Sequence, residues 1–451
     1  MPTRAKSRRT QPSDTWSLPP LHTSTTSQGM RVLVLPRGPL PLVSVRLVIE
    51  AGSAHDPSGK EGLADFTARL LRRGAGGRSA QEIDDAVEFV GASLSVGASE
   101  ELLILHLTTP ERHLSAMLEV LATLVSQPDF PDAEVVSART RTLAQLANEL
   151  DEPGAIADRA LTRAWWGTHP YGHDTSGSAR QVAGFTREDV VGFHREKVGP
   201  RVSLISVVGA VEPKAAVRAI EKAFKGFTGG PDQAPRTPAL AKRPVGHVVL
   251  VDKPDQTQAQ VRMVGPGFKF GAAPHFPAVV MNIALGGGFT SRLINEIRVN
   301  RGLTYGISSG FAPMRADGSF LVSTFTKTET TQEIIQVTLD ELKKLREEGM
   351  TREELRHAQT YLAGLYPLRN ETNDALASSL AELAMNGQGP DWIEHYRERV
   401  RAVTLVQANE VAQTFLYPEP PVLVVVGRAR ELKKPLATFG KVKVIPASEV
   451  E

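Results

Sequence analysis

The sequence predicts an α+β protein made of two related domains, and three observations carry that prediction. The first is length: 451 residues exceed what a single hydrophobic core ordinarily supports. The second is self-similarity at one spacing. "GMRVLVLP" begins at Gly29 and "GHVVLVDKP" at Gly246, an offset of 217, while "LISVVG" (204–209) returns as "VLVVVG" (422–427) at an offset of 218. The third lies between the halves. "GGPDQAPRTPALAKRP" (229–244) holds four prolines and two glycines, which neither a helix nor a central strand tolerates.

The elements follow in chain order. Residues 1–28 read as a disordered or extended tail. Arg4, Lys6, Arg8 and Arg9 are followed by no apolar stretch, so the segment is not a secretory leader, and Pro2, Pro12, Pro19 and Pro20 would break the amphipathic helix of a transit peptide. The N-terminal domain is expected over 29–228. After its first strand, Val43, Val45, Leu47 and Ile49 alternate with Ser44, Arg46 and Glu50 as a second. "EGLADFTARLLRRG" (61–74) is a helix: Gly62 opens it, Gly74 closes it, and Leu63, Phe66, Leu70 and Leu71 form its apolar stripe. Asp65, Ala68 and Arg69 look away from that stripe. Late in the domain "FTREDVVGFHREKVGP" (185–200) anticipates "VTLVQANEVAQTFLYP" (403–418).

The linker spans 229–244 and the C-terminal domain 245–451. There "QAQVRMVG" (258–265) matches the second strand of the first half. "ALGGGFTSRL" (284–293) reads as a flexible glycine-rich entry, through Gly286, Gly287 and Gly288, into a helix from Thr290. Leu293, Ile294 and Ile297 give that helix an apolar stripe, Arg298 sits in its last turn, and Gly302 is a natural C-terminal cap. Tyr305 opens a strand-like "YGISS".

Composition bounds the function. Lys and Arg number 52 against 50 Asp and Glu, too even a balance for a whole-chain field that attracts nucleic acid. The chain has no cysteine, which excludes disulfides and thiolate metal sites. No apolar run approaches the ~18–20 residues of a membrane helix. The expected compartment is the bacterial cytoplasm, with periplasm and organelle left open.

Chemistry has few places to sit. The closest histidine pair, His169 and His173 in "HPYGH", is separated by Pro170 and Gly172 and reads as a loop. A G-x-S-x-G nucleophile elbow is absent, and the glycine run lacks the lysine and spacing of a phosphate loop. Arg298 and Tyr305 are the exception. A guanidinium fork and a phenol O–H brought to one spot suit a carbonyl oxygen or a developing oxyanion. The same two residues also suit a plainer arrangement, an arginine at a helix C-terminus and a tyrosine half in the core.

From about residue 28 onward the chain resembles the pitrilysin/insulinase family of zinc peptidases, and within it the two-domain branch that includes mitochondrial processing peptidase subunits. The frame "AGSAHDPSGKEGLADF" matches the segment in which the family carries its inverted zinc motif H-x-x-E-H. At the two histidines this chain has Asp65 and Arg69, and at the general base it has Ala68. The family's third ligand, a glutamate placed six residues before the aspartate of a D-x-P step, falls at Gln145, since "DEP" is Asp151–Pro153. A guanidinium ~4 Å from a dication costs on the order of 8 kcal/mol at an effective dielectric near 20. Asp65 is better placed to pair with Arg69 one turn away. The second-domain signature departs far less. Gly286, Gly287, Gly288, Ser291, Arg292, Leu293, Arg298, Gly302, Leu303 and Tyr305 are all present.

The resemblance implies two homologous domains, each a mixed, mostly antiparallel sheet with helices packed on it, forming a half-shell. It implies that Arg298 and Tyr305 reach the substrate carbonyl at a zinc ion held elsewhere. The expected function is a non-catalytic subunit of a heterodimeric zinc metallopeptidase. Its partners would be a homologous, zinc-binding catalytic chain and an unfolded peptide, and it would bind no metal itself. The alternative is an inert scaffold or binding subunit, which could be a homodimer.

Overall fold

The computed structural model describes residues 17–450; the basic residues 4–9 of the expected tail lie outside it. Two six-stranded sheets organise the chain. The first is built from β1 (His22–Thr25), β2 (Arg31–Pro36), β3 (Leu42–Ile49), β4 (Ser93–Ala98), β5 (Leu103–Pro110) and β6 (Ser203–Gly209). Their spatial order is β1-β2-β6-β3-β5-β4. The second is built from β7 (His247–Asp252), β8 (Gln258–Pro266), β9 (Ile307–Pro313), β10 (Gly318–Lys327), β11 (Val422–Gly427) and β12 (Lys441–Pro446), ordered β9-β10-β8-β11-β7-β12.

Five strands of one sheet have counterparts in the other. β2 runs parallel to β6 as β7 does to β11, and all other pairs among the five are antiparallel. Register repeats as well, with Val45 opposite Val207 and Val261 opposite Val425. The sixth strands differ. β1 comes from the N-terminal side and pairs antiparallel with β2, whereas β12 comes from the C-terminal side and pairs parallel with β7. Part of the expected tail is therefore integral to the sheet, and Leu18 before it is buried. Its alternation of exposed side chains is too short to register as a strand in the sequence. Residues 229–244 carry no helix or strand.

Four helices position the features that matter below: α1 (Leu63–Leu70), α2 (Asp132–Glu149), α3 (Pro153–Trp166) and α4 (Asn373–Met385). Each half packs its own helices on one face of its own sheet. The opposite face is covered by the other half. Ile156, Ala157, Ala160 and Trp165 of α3 lie on Val249, Val424 and Val426 of the second sheet. Leu376, Ala377 and Leu380 of α4 lie on Leu35, Val48 and Val208 of the first. Strands buried on both faces explain the near-continuous valine runs of β6 and β11. The exchange is sealed by matching ion pairs. Arg262 of β8 meets Asp158 of α3 at 2.6 Å, and Arg46 of β3 meets Asp374 of α4 at 3.7 Å, both members displaced by 216 residues.

Candidate functional site

The helix α1 begins where Asp56 accepts hydrogen bonds from the Gly62 and Ala64 amides, at 2.6 and 2.8 Å. Gly62 has φ +100°, and a Cβ there would stand 2.7 Å from the backbone of Gly177, so no larger residue fits. This fixes the direction of Asp65, Ala68 and Arg69. The Arg69 guanidinium donates Nε to Asp65 Oδ2 at 2.6 Å and Nη1 to Gln145 Oε1 of α2 at 2.9 Å. Gln145 in turn donates to Glu149 Oε1 at 2.8 Å, and Glu149 Oε2 accepts from buried Arg159 of α3 at 2.7 Å. Arg159 also lies 3.5 Å from Asp174. Burial raises the Asp65 carboxyl above the ordinary range, against the pull of Arg69.

The structure thus joins Asp65, Arg69 and Gln145 by hydrogen bonds, with Ala68 on the same helix, and the chemistry of this set does not suit zinc. A metal ion needs about three lone-pair donors converging on one point. Ala68 offers none and is fully buried. The Asp65 and Gln145 oxygens both accept from Arg69. Among the described residues no three His, Cys, Asp or Glu side chains converge on a metal position. His169 and His173 play no part, since they bond to the carbonyls of Pro238 (2.7 Å) and Asp174 (3.0 Å) respectively.

The second half differs in kind. Instead of the expected α-helix, Ile294–Asn300 winds as a π-helix, and so does Ile283–Gly287 before it. Gly302 (φ +65°) ends the turn, its N–H reaching the Arg298 carbonyl at 3.2 Å. The glycine run is no flexible loop. A Cβ on Gly286 would stand 2.4 Å from Ser309 Oγ and 2.8 Å from Leu293 Cδ1, so the residue is set by close packing. Sequence periodicity cannot separate a π from an α turn over seven residues, and π-turns gather at functional sites.

Arg292 and Arg298 separate cleanly. Arg292 forms a two-pronged pair with Glu354, at 2.6 and 2.8 Å, and is structural. The Arg298 guanidinium has no carboxylate partner among the described residues and lies over the Phe289 ring, 5.4 Å from its centroid. Tyr305 is 82% exposed and sits two residues ahead of β9, so it neither opens a strand nor enters the core. Arg298, Tyr305, Gln258, Thr326 and Lys327 line one groove of about 580 Å³. Phe289, itself 77% exposed, was invisible in the sequence as part of this group. Glu149 was equally invisible, although its i+4 spacing from Gln145 on α2 was there to be read.

The fold is a two-half α+β shell of the metallopeptidase type. Residues 31–179 match the insulinase (peptidase family M16) model, and residues 184–362 match the model of the peptidase M16 inactive domain. The chain is similar to an uncharacterized zinc protease of Mycobacterium tuberculosis, 27% identical over 417 residues, covering 91% of this chain and 93% of that one. It is also similar to an uncharacterized zinc protease of Streptomyces coelicolor, 24% identical over 410 residues, with 89% and 88% covered. Among solved structures, a peptidase M16 inactive domain from Pseudomonas fluorescens superposes with a TM-score of 0.86 at 25% identity, over 90% of this chain and 98% of that one. A protease from Helicobacter pylori shares the fold with a TM-score of 0.82 at 18% identity, over 91% and 100%. The chain belongs to the M16 (insulinase) peptidase family. No described helix is long and apolar enough to cross a membrane.

Proposed function

We propose that this chain is the non-catalytic subunit of a heterodimeric zinc metallopeptidase and presents Arg298 and Tyr305 to the zinc site of a homologous catalytic partner. One observation carries the reading: half-buried Arg298 and exposed Tyr305 line one groove, with no carboxylate partner for Arg298 among the described residues, while Asp65, Arg69 and Gln145 are locked in side-chain bonds. In this role the guanidinium and phenol grip the carbonyl oxygen of a peptide bond. They then donate to the oxyanion that forms when water, activated on the partner, attacks the carbonyl carbon. Preorganised donors act most strongly on charge that develops in the transition state.

The test is co-purification with a zinc-motif homologue of the same genome and an assay of peptide cleavage. Activity is expected only from the mixed complex, and Tyr305→Phe is expected to lower it about 10²–10³-fold with the complex intact. Full activity of that variant would overturn the role. A stable homodimer that ignores every zinc-bearing homologue would favour the scaffold alternative.

A further inference from the structure

The bonded set of Arg69 and Gln145 borders a pocket. A cavity of about 500 Å³ opens beside α1 and α2, lined by Arg69, Arg72, Arg73, Arg141, Asp84 and Thr142 among others. We propose that it binds a carboxylate of an extended peptide, and that this chain thereby selects acidic substrates.

Four guanidiniums face or border the cavity, and three carboxylates hold them. Asp65 takes Arg69 at 2.6 Å, Glu134 takes Arg73 at 2.8 Å and lies 4.0 Å from Arg141, and Asp84 takes Arg72. The local balance is one positive charge in excess. Donors exceed acceptors by more than that. Each guanidinium has five N–H groups, and the bonds of Arg73 and Arg69 leave whole Nη2 groups without a partner among the described residues. Arg141, with 55% of its side chain exposed, lines the cavity and among the described residues is bonded otherwise only to Ser137. Thr142 is 2% exposed, and its hydroxyl has no partner among the described residues. A carboxylate accepts from several such donors at once, with charge-assisted bonds.

The shape favours a peptide over nucleic acid. One small cavity with one excess charge suits a single carboxylate, and the chain's near-neutral balance provides no stripe for a run of phosphates. Val96 of the cavity wall belongs to β4, the edge strand of the first sheet, beside which an extended segment can lie. The proposal does not rest on the role of Arg298 and Tyr305, since the cavity belongs to the other half and needs no partner chain.

The test uses the full chain alone and fluorescence anisotropy of labelled unstructured peptides. One peptide carries a single central Glu and an amidated C-terminus, a second has Gln in its place, and a third has Gln with a free C-terminal carboxylate. Tighter binding of the first or third than of the second, by about three- to tenfold at low salt, is expected. Preference for the first assigns a side-chain carboxylate and preference for the third a chain terminus. Arg141→Gln, at an exposed position, is expected to abolish the preference, and Thr142→Val to weaken it. Equal binding of all three peptides, or loss on Arg141→Gln that is the same for the neutral peptide, would overturn the proposal.

Discussion

Arg69 and Arg298 carry the same charge on helices of two homologous halves, yet their circumstances are opposite. Arg69 is paired, with Asp65 at 2.6 Å and Gln145 at 2.9 Å accepting from it. Arg298 has an aromatic face beneath it, an exposed tyrosine in the same groove and no carboxylate partner among the described residues. Arg292, six residues before Arg298, has by contrast a fully matched Glu354. The difference teaches that the two halves, alike in topology, hold their arginines differently: Arg69 is tied to its neighbours by two side-chain bonds, and Arg298 faces a groove with an aromatic ring as its neighbour.

The largest effect that could break this comparison is on catalysis. In the mixed complex, Arg298→Ala is expected to reduce peptide cleavage about a hundred- to a thousandfold, mainly in kcat, with unchanged thermal unfolding of the chain. The groove residue Lys327 gives the contrast: Lys327→Ala should change the rate by only a few fold. A loss of the same size at both positions would mean that charge in the groove matters and the pair does not.

Next in size is the attempt to reverse the first half. The triple replacement Asp65→His, Arg69→His, Gln145→Glu removes the guanidinium and restores three lone-pair donors on α1 and α2. About one zinc per chain is expected to survive dialysis, and added chelator should then lower the unfolding temperature, whereas the unaltered chain should show no response to chelator. Metal content by elemental analysis reads the outcome. Failure to bind zinc in a folded triple variant would mean that the positions have drifted apart as well as changed in kind.

Much of this was legible in the sequence, and what was not has identifiable causes. The repeated strands were visible because β2 and β7, or β6 and β11, keep both hydrophobicity and spacing. That Asp65, Arg69 and Gln145 meet could be anticipated from the frame around α1 and from Asp151–Pro153 at the start of α3, and the structure joins the three by hydrogen bonds. The exchange of α3 and α4 between halves was hidden. Each is an ordinary amphipathic helix, and nothing local says whose sheet it will cover. The π-turns around the glycine run were hidden for a similar reason, since Gly286 is chosen by a neighbour, Ser309, distant in sequence.

That exchange sharpens the comparison at the level of stability. Two of the ion pairs joining the halves, Arg262–Asp158 and Arg46–Asp374, occupy equivalent positions but unequal surroundings. Asp158→Ala strips the carboxylate from Arg262, which is 8% exposed and keeps only carbonyl contacts and Gln260. A loss of about 1–3 kcal/mol is expected. Asp374→Ala leaves Arg46, whose side chain is 20% exposed against 10% for Arg262, bonded to Ser378 at 3.0 Å, so about 1 kcal/mol or less is expected. Urea unfolding of the two variants measures the gap. Equal losses would show that the halves are joined as symmetrically as their topology suggests.

The smallest effect comes from the glycine that ends the Arg298 turn, and it discriminates best between shape and packing. At Gly302 a Cβ would meet nothing within 4 Å, yet φ is +65°, so Gly302→Ala should cost only the left-handed backbone penalty of about 1 kcal/mol. Gly286 is the reverse case, where the Cβ runs into Ser309 and Leu293, and Gly286→Ala should cost about 1–3 kcal/mol through forced repacking. The consequences for cleavage should run in the opposite order. Gly302 is held to the Arg298 carbonyl and leads within three residues to Tyr305, so even slight strain there moves both donors relative to each other. Gly286 lies in the preceding π-turn and supports them only through the packing of Leu293. A cleavage rate that falls more for Gly302→Ala, alongside a melting temperature that falls more for Gly286→Ala, is the expected pattern. The reverse pattern would place the determinant of activity in the buried glycine turn and not in the geometry of the exposed pair.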